Sequence, residues 1–203
     1  MVVDQKGLLS SLGNSGPVLL DLGCGPSKRL PDHIGVDTIS YACVDLVGDV
    51  FDVLFLLPDE SVDGIHTSHF LEHIADLPKL LGEIERVLKP GALLKVVVPH
   101  FSNAYFYSDP THKIAFGLYT FCYFAESNLF SRKVPHYGRS PKLTLRKVKL
   151  NFKSDRPFYF RYALKRTIGM LVNISTYTQE LYEDLFTGIV SCYEIEFTLR
   201  KNG

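Results

Sequence analysis

The chain has no tryptophan, only two methionines, and no net charge, with 22 basic and 22 acidic side chains among its 203 residues. No stretch approaches the roughly 18–20 uninterrupted apolar residues of a membrane span. The four cysteines, Cys24, Cys43, Cys122 and Cys192, are scattered without a Cys-x-x-Cys pair. That spacing excludes a zinc ribbon and a disulfide-stapled scaffold, and nothing in the sequence asks for a metal ion. Residues 1–11 carry Asp4 and Lys6 and lack the apolar region of a secretory signal, so a cytoplasmic location is expected. Internal repeats and low-complexity tracts are also missing.

Hydrophobic residues make up 46% of the chain, enough for a sizeable core and too many for disorder. The length predicts one domain over 1–203, with a binding core at 17–100, an acceptor-side lid and insertion at 101–190, and a final strand at 191–199. The zero net charge hides an asymmetry. Residues 1–130 hold 8 basic and 16 acidic side chains, whereas residues 131–170 hold 12 basic ones against the single acid Asp155. Such a basic block is either solvated surface or an attraction for an anionic partner.

Short β-like runs alternate with helical patterns over the first hundred residues, which argues for a parallel sheet with crossover connections. The strands read at Pro17–Leu22, Ile34–Asp37, Cys43–Gly48, Val62–Thr67 and Leu93–Val98. Between the last two, Leu77, Leu80, Leu81, Ile84, Val87 and Leu88 recur at helical steps, with Asp76 as N-cap, Pro78 in the first turn and Lys89-Pro90-Gly91 as the stop. Further on, residues 143–152 read as a strand, 158–187 as helical, and 192–199 as a half-buried strand that suits an antiparallel pair at the sheet edge.

The chemistry is concentrated in Leu20-Asp21-Leu22-Gly23-Cys24-Gly25-Pro26, directly after the first strand. Glycines in such a turn let a ligand approach the backbone without meeting a Cβ, at the strand end where open α/β sheets place ligands. Asp37 ends the next strand, where an acid can accept hydrogen bonds from both ribose hydroxyls of a nucleoside. A nicotinamide dinucleotide is disfavoured. Its fingerprint needs a third glycine for close helix packing, and here Pro26, Ser27 and Lys28 follow Gly25.

With these residues in place, the run resembles motif I of the class I S-adenosylmethionine-dependent methyltransferases. Gly48-Asp49-Val50, the turn 58–63, Ser68-His69-Phe70-Leu71-Glu72-His73-Ile74 and residues 83–91 resemble later motifs of that family in the expected order. The resemblance covers residues 17–100. It implies a Rossmann-like α/β fold: a mostly parallel sheet with an antiparallel C-terminal strand and helices on both faces. It implies S-adenosylmethionine as cofactor, with Asp21, Gly23, Cys24, Gly25, Asp37, Asp49, Val50, Ser68 and His69 around it. Asp49 would contact the adenine amino group, with Asp45 and Asp52 as alternatives. One departure stands out. Only sixteen positions separate Asp21 from Asp37, with Pro26 and Pro31 between them, so the first crossover helix must be short or nearly absent. With Gly-Cys-Gly-Pro, a following basic residue and this compressed crossover, the chain resembles the methyltransferase type 11-like subgroup, whose enzymes are often associated with surface-glycan or uncharacterised pathways.

Methyl transfer from a sulfonium needs alignment above all, and a general base only for a weak nucleophile such as a hydroxyl. His100 and His112, in the polar and aromatic stretch after the fifth strand, are the candidate bases. His73 reads equally as a helix-start residue or a catalytic one. Residues 101–142 are expected to form a mobile cover over the acceptor. A small-molecule or glycan-precursor acceptor, anionic if the basic segment covers it, is the leading expectation. The rivals are RNA modification and a non-catalytic S-adenosylmethionine-binding protein; nucleic acid is the less favoured partner.

Overall fold

A computed structural model describes residues 2–10, 16–154 and 157–203. Asp155, the lone acid of the basic segment, lies outside the described residues. Eight strands form one mixed sheet. They are β1 (Val3–Asp4), β2 (Leu19–Leu22), β3 (Ile34–Asp37), β4 (Leu46–Val47), β5 (Val62–Ser68), β6 (Leu88–Pro99), β7 (Leu143–Asn151) and β8 (Glu194–Lys201), in the order β1-β4-β3-β2-β5-β6-β8-β7. From β4 to β6 every pairing is parallel; β8 pairs antiparallel with both β6 and β7. This is the expected Rossmann-like arrangement, a parallel centre with the antiparallel pair β8 and β7 at one edge; the two-residue β1 adds antiparallel to β4 at the other. Short apolar runs such as Leu20-Asp21-Leu22 form its middle because they are buried throughout.

Neither the β2-to-β3 nor the β3-to-β4 crossover carries a helix among the described residues; Pro26 and Pro31 lead one to expect this of the first. A polar clamp takes over the missing helix's task. Lys28, just past the glycine turn, reaches the His33 carbonyl at 2.7 Å and Asp45 Oδ2 at 2.8 Å, while Asp45 also accepts from the Gly35 N–H at 2.8 Å. Lys6 pairs with the other oxygen of Asp45. Burial pushes the Asp45 carboxyl upward, but Lys28, Lys6 and the Gly35 amide outweigh it and hold the group below its ordinary value. Asp45 is therefore a structural residue.

Removing Asp45 leaves Lys28, whose side chain is 11% exposed, without its counter-charge. Asp45→Ala is expected to cost about 3–5 kcal/mol of folding stability in urea unfolding at pH 7. Because the folded carboxyl titrates below its unfolded value of about 4, its contribution is complete above that pH and is lost as pH falls through the folded value. The Ala variant should show a correspondingly shallower loss in acid. Equal stability of variant and parent at pH 7 would remove Asp45 from this role.

Two helices fill the later crossovers, α1 (Val50–Phe55) and α2 (Leu77–Val87). Asp49 caps α1 through the Phe51 N–H, and Asp76 caps α2 through the Lys79 N–H, both at 2.9 Å. The buried residues of α2 are Leu77, Leu80, Leu81, Ile84 and Val87, five of the six periodic residues read from the sequence; the sixth, Leu88, is buried as the first residue of β6. After α2, Leu88 already pairs with Val62, and the continuous ladder resumes at Gly64 and Leu93 beyond a register shift. The expected helical stretch 158–187 divides into α3 (Tyr159–Val172) and α4 (Thr176–Leu185). Asn173 causes the break by bonding the β7 backbone at Leu150, accepting from its N–H at 2.9 Å and donating to its carbonyl at 2.7 Å. Ser175 and Thr178 then form a capping box that restarts the chain as α4.

The expected mobile cover over 101–142 needs correction. Phe116, Leu118, Phe121, Ala125 and Phe130 are buried in the main core, and Phe121 packs on Phe197 of β8. Backbone bonds join Glu126 to Leu143 and Leu145, and Phe101 to Phe116. The aromatic crowding is core packing held in irregular backbone, including short 3-10 turns at Ala104–Ser108 and Thr120–Tyr123. The stretches around exposed Tyr105 and Tyr107 and around exposed Tyr137 keep the character of a cover. Amides of 116–125 should therefore exchange with deuterium on the time scale of β6, and those of 104–112 much faster. Equally fast exchange over both stretches would contradict this packing.

Candidate functional site

Chain direction puts the C-terminal ends of β2, β3, β4, β5 and β6 along one edge of the sheet, and the loops leaving them build the site. After β2 the backbone turns sharply. Gly23 and Gly25 have φ of 68° and 63°, the region glycine occupies without strain. The turn is stitched to the end of β3: the Gly23 and Cys24 amides donate to the Val36 carbonyl at 2.9 and 3.2 Å, and the Gly25 amide donates to Asp37 Oδ2 at 2.9 Å.

The two glycines serve different ends. A Cβ on Gly23 would lie 2.4 Å from the Phe70 ring, so protein already occupies that side. A Cβ on Gly25 would meet nothing within 4 Å, leaving that side of the turn open. Asp37 Oδ1 also accepts from the Ile39 amide at 2.9 Å, so its carboxylate is fixed while each oxygen keeps a lone pair. Asp49, exposed at the end of β4, uses Oδ1 on the Phe51 amide, and Val50 beside it packs into the core. Burial, then the charges of Asp21 and Asp37, pushes the Cys24 thiol up to about 12, which removes it as a nucleophile at neutral pH.

Asp21 is 3% exposed, and its Oδ1 lies 2.8 Å from His66 Nδ1. The register places the two residues directly opposite on β2 and β5. Sequence reading missed His66, since nothing local announces a cross-strand partner 45 positions away. Ser68, closing β5, accepts from Arg29 at 3.0 Å, which brings the first loop across to the fifth strand.

His69 follows with φ of 53°, rare for a residue with a side chain. Its Nε2 lies 3.1 Å from Glu194 Oε2 and its Nδ1 3.5 Å from Glu72 Oε1. Glu194 first, then Glu72, push the imidazole up to about 9, so it is charged at neutral pH. Burial raises the Glu194 carboxyl, but His69, Lys153 and Asn151 outweigh it and hold it down at about 2. Glu194 was also unmarked in the sequence, because its partner stands 125 positions earlier.

The two expected bases part company. His100 is 0% exposed, with Nδ1 at 2.8 Å from Ser102 Oγ and Nε2 at 3.1 Å from Glu183 Oε2. Buried and engaged at both nitrogens, it links the residue after β6 to α4. His112 is partly exposed, bonded through Nδ1 to the Phe106 carbonyl at 2.8 Å, and stands 4.8 Å ring to ring from His73.

A parallel sheet with a Gly-x-Gly turn after β2 and an acid closing β3 defines a class I methyltransferase architecture. The protein-family comparison agrees: a methyltransferase-domain model matches residues 5–166. The chain belongs to that family. No curated protein matches it. Among solved structures, an S-adenosylmethionine-dependent methyltransferase from Archaeoglobus fulgidus superposes with a TM-score of 0.58 at 21% identity, covering 95% of this chain and 89% of that one. Geranyl diphosphate C-methyltransferase from Streptomyces coelicolor, solved with Mg2+, geranyl diphosphate and S-adenosylhomocysteine, gives 0.52 at 16% identity over 96% and 76%. Phosphoethanolamine N-methyltransferase 2 from Haemonchus contortus, solved with its phosphorylated amine and S-adenosylhomocysteine, gives 0.52 at 16% over 97% of this chain and 52% of that one. At these identities the likeness concerns the fold.

Proposed function

We propose that the chain binds S-adenosylmethionine across the ends of β2, β3 and β4 and transfers its methyl group to a small-molecule acceptor entering beside β5 and β6. The observation that carries this reading is the open side of Gly25 next to the fixed carboxylate of Asp37. Gly25 admits the ligand against the backbone, Asp37 receives the ribose hydroxyls, and Asp49 Oδ2 meets the adenine amino group. The sulfonium supplies an activated methyl, so the protein's work is alignment and exclusion of water. Charged His69 and the His73–His112 pair face the acceptor side. Glu194 and Glu72 already balance the charge of His69, so these groups suit an acceptor that hydrogen-bonds through an oxygen.

The test is incubation with methyl-labelled S-adenosylmethionine and pools of phosphorylated and nucleotide-linked small molecules, followed by mass analysis. A labelled product with stoichiometric S-adenosylhomocysteine is expected. Cofactor binding with no transfer to any pool would favour a binding protein without catalysis.

RNA as acceptor draws on one specific observation. Arg161, Phe158, Tyr159, Phe160 and Tyr162 stand exposed together on and before α3, a basic and aromatic surface of the kind that stacks single-stranded bases. If RNA is the acceptor, binding should weaken steeply as salt rises, and Phe160→Ala should weaken it further.

A further inference from the structure

We propose that Glu72, His73 and His112 bind one divalent first-row transition-metal cation, of the zinc or cobalt class, beside the acceptor end of β5. Sequence reading asked for no metal, because its spacing rules look for cysteine pairs and this cluster joins two adjacent residues to one 39 positions later. Each of the three offers a ligand atom within 4.8 Å of the others. A four-coordinate cation with bonds of about 2.1 Å holds its ligand atoms about 3.4 Å apart, so modest side-chain rotation closes the set.

The carboxylate argues most strongly. Glu72 is 0% exposed, and neither of its oxygens has a hydrogen-bond partner. Oε1 lies 3.5 Å from His69 Nδ1 without bonding geometry, and Oε2 has no such neighbour. Charged His69 faces Oε1, but no hydrogen bond reaches either oxygen, so a cation bound at this carboxylate would complete a buried group that is otherwise only loosely paired.

The imidazoles are prepared in the tautomer a metal requires. The Thr111 hydroxyl donates its single proton to Asp109 Oδ1 at 2.6 Å, so it accepts from His73 Nδ1, 2.8 Å away. His112 Nδ1 donates to the Phe106 carbonyl at 2.8 Å. Each histidine therefore carries its lone pair on Nε2, oriented by an outer partner in the way metal-ligating histidines are. The backbone is also fixed, for the Lys113 and Ile114 amides donate to the Glu72 carbonyl at 2.7 and 3.3 Å.

Two imidazoles and one carboxylate suit zinc, cobalt or iron(II) and disfavour magnesium, which prefers oxygen donors and retains its water. Three protein ligands leave a position open, and Asp109 Oδ2 stands nearby, 3.6 Å from His112 Nε2. Resting on the methyl-transfer reading, that open position is where an oxygen of the acceptor would sit. The His112 lone pair then holds the cation and takes no proton.

The full chain, stripped with chelator, should be titrated with Zn2+ against a chromophoric competitor and with Co2+ by visible absorption. One equivalent is expected at micromolar affinity or tighter, with no competition from millimolar Mg2+. Glu72→Gln and His112→Ala should each weaken binding at least tenfold, and the His73→Ala/His112→Ala double variant should abolish the cobalt spectrum. The His112 side chain is 11% exposed and stacks on Phe106, so a thermal melt accompanies each variant, and a folded His112→Ala should still bind S-adenosylhomocysteine. Retained nucleoside binding separates failure of this site from failure of the cofactor reading. A parent that takes up no stoichiometric metal, or a double variant that binds as tightly as the parent, would overturn the proposal.

Discussion

Gly23→Ala is expected to be among the most damaging single substitutions in the chain, costing about 2–5 kcal/mol of stability. Two costs combine. The new methyl would stand 2.4–2.6 Å from Phe70, and overpacking a filled site costs about 1–3 kcal/mol. The φ of 68° adds about 1–2 kcal/mol for any residue with a Cβ. Urea unfolding checks the size, and Phe70→Ala in the same background should restore part of the loss by vacating the space. Gly25→Ala is the informative partner. Its φ of 63° carries the same backbone cost, but its methyl meets no protein atom. It should fold with a loss of only about 1–2 kcal/mol and still bind S-adenosylhomocysteine poorly, because the methyl stands where the ligand approaches. Equal stability losses at the two positions, with nucleoside binding intact in Gly25→Ala, would show that both glycines serve the fold alone.

Asp37 carries the largest expected effect on binding. Replacing it with Asn should weaken S-adenosylhomocysteine about 30–1,000-fold, the worth of one to two charge-assisted hydrogen bonds to the ribose. Asn is the better probe than Ala. The Asp37 carboxylate also receives the Gly25 and Ile39 amides, so Ala would loosen the turn as well as delete the ligand contact. Asn keeps one carbonyl acceptor for the turn and removes the charge. Calorimetry reads the affinity, and a thermal melt without ligand shows whether the turn survived. Unchanged affinity in a folded Asp37→Asn would place the ribose contact elsewhere.

What could be read beforehand was local. α2 was legible because six apolar residues share one period between a capping acid and a proline-glycine stop. The compressed first crossover was legible because two prolines in eleven residues leave no room for a helix. The core role of 116–130 was hidden, since irregular backbone buries its aromatics at no fixed period. The split between α3 and α4 turns on one asparagine reaching another strand, a contact outside any helix pattern. The glycine turn and Asp37 were visible in order. The pairs Asp21–His66 and His69–Glu194 depend on strand register, which a single sequence does not display. The same blindness made His100 and His112 look equivalent, although one is sealed inside and the other stands at the rim.

The most direct test of the account is calorimetric titration of the purified chain with S-adenosylhomocysteine, with NAD as the control. The account predicts one saturable site for S-adenosylhomocysteine, a melting temperature that rises with its concentration, and no binding of NAD. Binding of NAD without S-adenosylhomocysteine, or of neither, would contradict it.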